Sequence, residues 1–454
     1  MKHVIIGNGP AGVIAAETIR KNAPLDEIVM IGDEPEPSYS RMAIPYLLIG
    51  NVQENGTYLR KDEHHFRKLR IQEVRGRARS LDTTARTVHM EDGTSFNYDR
   101  LLLATGSLPM TPPIPGVDGP GVHTCWTLED ARHIQQLAKP GSRVIQMGAG
   151  FIGCIIMEAL AVRGVDLTVI EMGDRMVPRM MGEGAGNMIK RWCEKKGIKV
   201  FTSTRVEAIE RDGDNAHESG GLTGVIKRIF GSSEESGQAV SGQMRVKLSS
   251  GETLTADLVI SATGVKPNIG FLKDTGIKTS TGILVDTDMQ TSIPGVYAAG
   301  DCAEAFDAFT GKTVVSAIQP NAADQGTCAG TNMVGKSRRN KDVTQINVLD
   351  TLGLISTSFG KWEGVPGGQH AELIDTDHFK LMRLEFEGDV LVGSNTVGHT
   401  EHVGILRGLI QQRIHLGDWK DKLIEDPTRL VEAYLACSQA QDEWLGATTG
   451  ALTS

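Results

Sequence analysis

The stretch GAGFIGCIIMEAL, Gly148–Leu160, opens with glycines spaced Gly-x-Gly-x-x-Gly, and GNGPAG, Gly7–Gly12, carries the same spacing near the start of the chain. Each copy follows an apolar strand-like run, HVII before Gly7 and RVIQM before Gly148, and each leads into residues with helical apolar spacing. Glycines at these places let the backbone turn sharply and approach a phosphate, while the helix N-terminus offers unpaired N–H groups and partial positive charge. An acid about 20 residues further on completes the pattern, accepting hydrogen bonds from ribose hydroxyls. That acid is Glu34 for the first copy and Glu171 for the second. Two complete fingerprints predict two bound dinucleotides.

The echo extends beyond the glycines. FNYDRLLLATGSLP reads as a buried strand ending at Ala104, Thr105 and Gly106, and TLTADLVISATGVKPN repeats the pattern up to Gly264. The chain is therefore internally duplicated. TPPIPG, Thr111–Gly116, reads as a linker. GVYAAGDCAEAF gives a strand ending at Gly300 and Asp301, and a helix is entered at Pro320. From about residue 341 the pattern changes to short alternating strands followed by two helical stretches, HVGILRGLIQQ and PTRLVEAYLACSQAQDEWL. The expected fold class is α/β: two Rossmann-like dinucleotide-binding domains plus an α+β C-terminal interface domain. The expected boundaries are 1–115 with 265–340, then 116–264, then 341–454. A Gly/Ser/acid-rich insert, Arg211–Gln243, interrupts the second unit around an apolar-basic centre, VIKRIF. It reads as a surface loop or as a partner-docking loop presenting Lys227, Arg228 and Phe230.

Composition narrows the function classes. The 454 residues suit roughly three domains at about 150 residues each. A net charge of −9 disfavours nucleic acid as the main partner, since phosphate backbones demand basic surface. The six cysteines, Cys125, Cys154, Cys193, Cys302, Cys328 and Cys437, form no close pair, so neither a disulfide framework nor a structural zinc site is expected. His399 and His402, in GHTEH, do not form a zinc helix motif, and no metal is expected. MKHVIIGNGPAG enters a strand directly, and no apolar run reaches the roughly 20 residues of a membrane span. The expectation is a cytoplasmic protein.

With these motifs the chain resembles the two-dinucleotide FAD/NAD(P) flavoprotein reductases, the pyridine nucleotide-disulfide oxidoreductase superfamily, over roughly residues 1–335. The resemblance implies that Gly7, Gly9, Pro10, Ala11 and Gly12 form an FAD pyrophosphate loop. It also assigns Glu34, Arg41, Ala78, Ala104, Thr105, Gly106, Gly264, Gly300 and Asp301 to cofactor contacts, with Asp301 on the ribityl chain. Gly148, Gly150, Phe151, Ile152 and Gly153 look like the NAD(P) loop. Glu171 implies NADH, because a carboxylate repels a 2′-phosphate. The helix at Pro320 is implied to direct its N-terminus toward the flavin pyrimidine.

Departures matter as much. Disulfide reductases of this superfamily carry a Cys-x-x-x-x-Cys after the FAD unit, and a related branch keeps a single cysteine there. This chain reads SYSRMAIPYLLIG with Met42 at that place, and a thioether forms no thiolate. The nearest branches are NADH-dependent ferredoxin and rubredoxin reductases, nitrite reductase flavin domains and NADH oxidases. Many members pair a Lys with a Glu near the flavin, where this chain has Tyr46 and Ile155. A Trp common in dioxygenase ferredoxin reductases falls near Gln319. No catalytic residue is assigned; Tyr46 and Cys154 are candidates, Cys154 reading more readily as a small packed side chain. The expected function is hydride transfer from NADH to FAD, with electrons passed to a protein acceptor such as a small iron–sulfur protein or partner subunit. A homodimer is also expected. Two alternatives stand: the flavin subunit of a larger redox complex, and an NADH-responsive binding protein.

Overall fold

The computed structural model describes residues 1–211, 243–307, 311–340, 346–399 and 401–437. Two five-stranded parallel sheets dominate. In the first, the order is Val296–Ala298, Arg100–Leu103, Lys2–Ile6, Glu27–Gly32 and Ile71–Arg75. In the second it is Lys199–Phe201, Asp166–Ile170, Arg143–Met147, Leu258–Ser261 and Val122–His123. Each glycine turn leaves the central strand of its sheet. Val4, Ile5, Leu101 and Leu102 in one sheet and Val144, Val169 and Val259 in the other are at most 1% exposed. Parallel strands covered on both faces need such apolar runs.

The duplication reaches the connections. Between the last and second strands of the first sheet order lies an antiparallel meander, Ala78–Asp82, Thr87–Met90 and Ser95–Asn97. At the equivalent place in the second unit lies another: Val206–Arg211, Met244–Leu248 and Thr253–Ala256. Arg211 pairs with Met244, so the 211–243 insert departs from and returns to one rung of this hairpin. Its residues 212–242, including the suggested contacts Lys227, Arg228 and Phe230, lie outside the described residues.

Helix Pro10–Asn22 packs on helix Gln319–Met333 by backbone approach. A Cβ on Gly326 would lie 2.4 Å from the Ala11 carbonyl oxygen, and one on Gly330 2.8 Å from that of Ala15. The counterpart helix Phe151–Val162 is enclosed differently. Its core includes Ile44, Leu47 and Leu48 from helix Ile44–Ile49, and Leu349, Leu354, Leu381 and Val397 from the C-terminal sheet.

That C-terminal sheet is antiparallel, in the order Ile346–Thr351, Leu354–Gly360, Val390–Val397, Lys380–Glu387, Gln369–Asp375. Phe359, Leu384, Phe386 and Leu391 form a second core with Leu406, Leu409 and Ile410 of helix Val403–Gln412. Residues 430–437 are helical, as the spacing suggested, after the 3-10 turn Pro427–Arg429, and residues 438–445 of that stretch lie outside the described residues. A further short helix, Trp419–Glu425, has no sequence expectation behind it. Its seven residues are too few to display a convincing period.

Candidate functional site

The two glycine turns have one geometry. Gly7 and Gly148 sit at φ +113° and +97°, where L side chains are strained, and each lies against the carbonyl of the Ala-Thr-Gly segment. A Cβ on Gly7 would fall 2.0 Å from the Ala104 oxygen, and one on Gly148 2.5 Å from that of Ala262. Gly12 and Gly153 face the backbone of their own loops: a Cβ on either would fall 1.9 and 2.5 Å from the carbonyl oxygens of Gly7 and Gly148, respectively. Gly9 and Gly150 are different. Both are helix N-caps in extended conformation, no side chain caps either helix, and a Cβ on either would meet nothing within 4 Å. Two of the glycines in each loop are thus demanded by packing. The middle one is demanded by no protein atom and leaves its helix's first N–H groups facing open space.

Between the first glycine loop and the helix that follows the second lies an open cleft. Gly7, Gly9, Pro10, Ala11, Glu34, Arg41, Ala104, Thr105, Gly106, Gly300 and Asp301 line it from the first unit. Phe151, Ile152, Ile155 and Ile156 line it from the second-unit helix. Gly12, Gly148, Gly150, Gly153, Glu171, Ala78, Gly264 and Pro320 do not line this cleft, although Val265 and Gln319, next to two of them, do.

The cleft's polar groups are few and fixed. Arg41 donates to Glu34 at 2.5 Å, to the Tyr39 hydroxyl at 2.8 Å and to the Trp126 carbonyl at 2.6 Å, and Tyr39 itself donates to Glu34. Asp301 accepts from the Ser107 hydroxyl at 2.9 Å. Burial pushes the Asp301 carboxyl above the usual carboxylate range, with Ser107 and Arg41 pulling the other way. The Gly300 N–H donates to the side chain of the buried Gln325, which sets the position of Asp301. Helix Gln319–Met333 also lacks a side-chain cap, and its second residue is Pro320. Gln319 accepts from Ser40 at 2.5 Å. Tyr39, Ser107, Trp126 and Gln325 were not singled out from sequence. Ser107 directly follows Ala104-Thr105-Gly106, which is the one local signal that pointed to it.

The two candidate catalytic residues are placed elsewhere. Tyr46 is 55% exposed and does not line the cleft. Cys154 is fully buried on the far side of its helix, with Sγ 3.6 Å from the Ala149 carbonyl, and burial pushes its thiol up. Met42, Pro45 and Ile155 line the cleft instead, so the wall at Ile155, where many relatives carry a Glu, is apolar. All six cysteines are free. The one thiol lining the cleft, Cys125, is buried and likewise pushed up.

The family model for pyridine nucleotide-disulphide oxidoreductases matches residues 1–326. The chain belongs to that family.

Among its relatives, an NADH oxidase of Methanocaldococcus jannaschii is 33% identical over 79% of this chain and 77% of its own length. The epsilon subunit of an NADH-dependent phenylglyoxylate dehydrogenase from Aromatoleum evansii is 28% identical over 94% of this chain and 95% of its own. Among solved structures, putidaredoxin reductase in covalent complex with putidaredoxin superposes at TM-score 0.83, with 23% identity over 96% of this chain and 99% of that one. An NAD-dependent persulfide reductase from A. fulgidus gives 0.79, with 28% identity over 92% and 78%. As a member of the pyridine nucleotide-disulphide oxidoreductase family, the chain is an NAD(P)H oxidoreductase and takes FAD and NAD(H) as cofactors. Among the described residues no group of three or more His, Cys, Asp or Glu is placed to hold a metal, and no helix is long and apolar enough to cross a membrane.

Proposed function

We propose that this protein oxidises NADH through a bound FAD and passes the electrons to a protein acceptor. The observation carrying this reading is one cleft shared by the first glycine loop and by the helix that follows the second. Bound FAD would supply a carrier that accepts hydride from reduced nicotinamide and releases the electrons onward. The residues fit it. The uncapped helix at Gly9 faces the cleft where a pyrophosphate needs N–H donors, and Asp301, costly to bury with one partner, offers its carboxylate to ribityl hydroxyls. Glu34 is held by Arg41 and Tyr39, leaving carboxylate lone pairs for an adenosine ribose. The uncapped N-terminus of Gln319–Met333, whose Gln319 lines the cleft, would offer positive potential to the reduced flavin.

For NADH, the second loop presents the uncapped N-terminus at Gly150, with Glu171 beside it. Phe151, Ile152, Ile155 and Ile156 exclude water where the two cofactors would meet. The apolar wall at Met42 and Ile155 carries no thiol and no charge. That favours transfer governed by stacking and approach, and electrons that leave to a separate acceptor. The division into 1–115 with 265–340, 116–264 and 341–454, and a homodimer formed through the last segment, belong to the same reading.

Anaerobic stopped-flow mixing with NADH or NADPH tests it. Rapid bleaching of the flavin band by NADH supports the assignment, and no bleaching by either nucleotide overturns it. A second reading, a flavin subunit of a larger complex, is favoured by the near full-length match to a dehydrogenase subunit. Slow turnover of the isolated chain with artificial acceptors, after fast reduction by NADH, would single it out.

A further inference from the structure

We propose that Asn395, on the C-terminal sheet, is a positioning residue for the dinucleotide at Gly148–Gly153. The inference rests on the reading of that loop as the NADH site, and it links that site to a domain contributing nothing to either fingerprint. The path is a short series of hydrogen bonds. Glu171 and the segment after it hold both backbone polar groups of Ala149, inside the glycine turn. Glu171 accepts from the Ala149 N–H at 2.7 Å, and the Val177 N–H donates to the Ala149 carbonyl at 2.9 Å. Val177 does this at φ +51°, a left-handed conformation unfavourable for a β-branched side chain, and it is buried. Such a residue keeps its conformation only where its surroundings impose it.

The surroundings are a turn closed on Val177. Its carbonyl accepts from Met180 and Met181 at 2.9 and 3.0 Å. Asn395 closes the far side. Its Oδ1 accepts from the Gly182 N–H at 2.8 Å, and its Nδ2 donates to the Met180 carbonyl at 3.1 Å. The side-chain amide thus stands in for a peptide unit, and at 1% exposure no water replaces it. Arg175 braces the same turn from within, donating to Met181 at 2.8 Å. The loop therefore stays folded without Asn395, and the loss falls on its placement beneath the glycine turn.

The test is anaerobic stopped-flow on the FAD-loaded full chain, comparing wild type with Asn395→Ala. The NADH dependence of flavin reduction yields Kd and the limiting rate, alongside FAD content and melting temperature. A buried donor and acceptor left unpaired should raise the NADH Kd about tenfold. The limiting rate should stay within about twofold, as for an interaction that acts on binding rather than on the transition state. Thr357→Val, which breaks the buried Thr357–Thr396 hydroxyl pair of the same sheet, supplies a control for stability alone. It should lower the melting temperature and leave Kd unchanged. If Asn395→Ala does not fold, Asn395→Ser carries the same measurement.

An unchanged Kd in the Asn395 variant, with NADH binding weakened by Gly150→Ala, overturns the positioning role. If neither variant changes the NADH Kd, the assignment of NADH to the second loop fails as well.

Discussion

The carboxylate of Glu171 accepts a hydrogen bond from the backbone N–H of Ala149 at 2.7 Å, and its other oxygen accepts from Gly173 at 2.7 Å. The acid therefore organises the turn that, on the proposed reading, it would also make selective for NADH. Glu171→Gln keeps an acceptor and removes the charge. The NADH-to-NADPH ratio of kcat/KM should fall by about tenfold, since repulsion of a 2′-phosphate is relieved while a ribose acceptor remains. An unchanged ratio would show that the charge plays no part in selecting the nucleotide.

The glycines of the second loop should separate into two classes. Gly148→Ala places a methyl 2.5 Å from the Ala262 oxygen at a positive φ, and should prevent or severely weaken folding. Gly150→Ala meets nothing within 4 Å in an extended conformation, so the fold should survive with wild-type melting. Its NADH affinity should nonetheless fall by about tenfold or more, because the methyl enters the space of the approaching pyrophosphate. Wild-type NADH binding in Gly150→Ala would remove the phosphate from that place. Gly9→Ala should behave likewise toward FAD.

Asp301 should trade stability for cofactor. Its folded-state carboxyl lies above the ordinary value, chiefly through burial, so the folded chain binds that proton more readily than the unfolded one. Ionised Asp301 therefore weakens the FAD-free protein at neutral pH, and the cost fades as pH falls through the raised folded value and is gone below the unfolded pKa of about 3.9. FAD-free Asp301→Asn should melt higher than wild type at pH 7, with the gap narrowing toward pH 4. It should also retain less FAD through gel filtration. A gap that is constant with pH, or absent, would contradict the ionised carboxyl as its cause.

Cys154→Ala should leave flavin reduction by NADH unchanged, since the thiol is buried away from the cleft. The small void should cost about 1 kcal/mol of stability. A large loss of limiting rate with stability intact would restore Cys154 as a participant in the chemistry.

Arg41→Ala removes three cleft contacts at once: to Glu34, Tyr39 and Trp126. FAD affinity should drop by about tenfold or more, because Glu34 loses its charged partner beside the cofactor's ribose. Equilibrium titration of the FAD-free protein with FAD measures it.

Much of this was legible in the sequence because it is local. A Gly-x-Gly-x-x-Gly turn, the strand before it and the helix after it lie within one short stretch, and the duplication of Ala104-Thr105-Gly106 by Ala262-Thr263-Gly264 is visible by comparison along the chain. What tertiary structure alone decided is which way side chains face and what distant segments bring. Ile155 lines the cleft and its neighbour Cys154 does not, because one step along a helix rotates a side chain by about 100°. Ser107 meets Asp301 across nearly two hundred residues of chain, and Gln325 reaches Gly300 from a helix whose sequence reads as ordinary packing. Asn395 gave no signal at all. Its importance lies in two backbone groups of a turn in another domain, and no spacing in the chain encodes a bond made only after the C-terminal sheet has closed over the second unit.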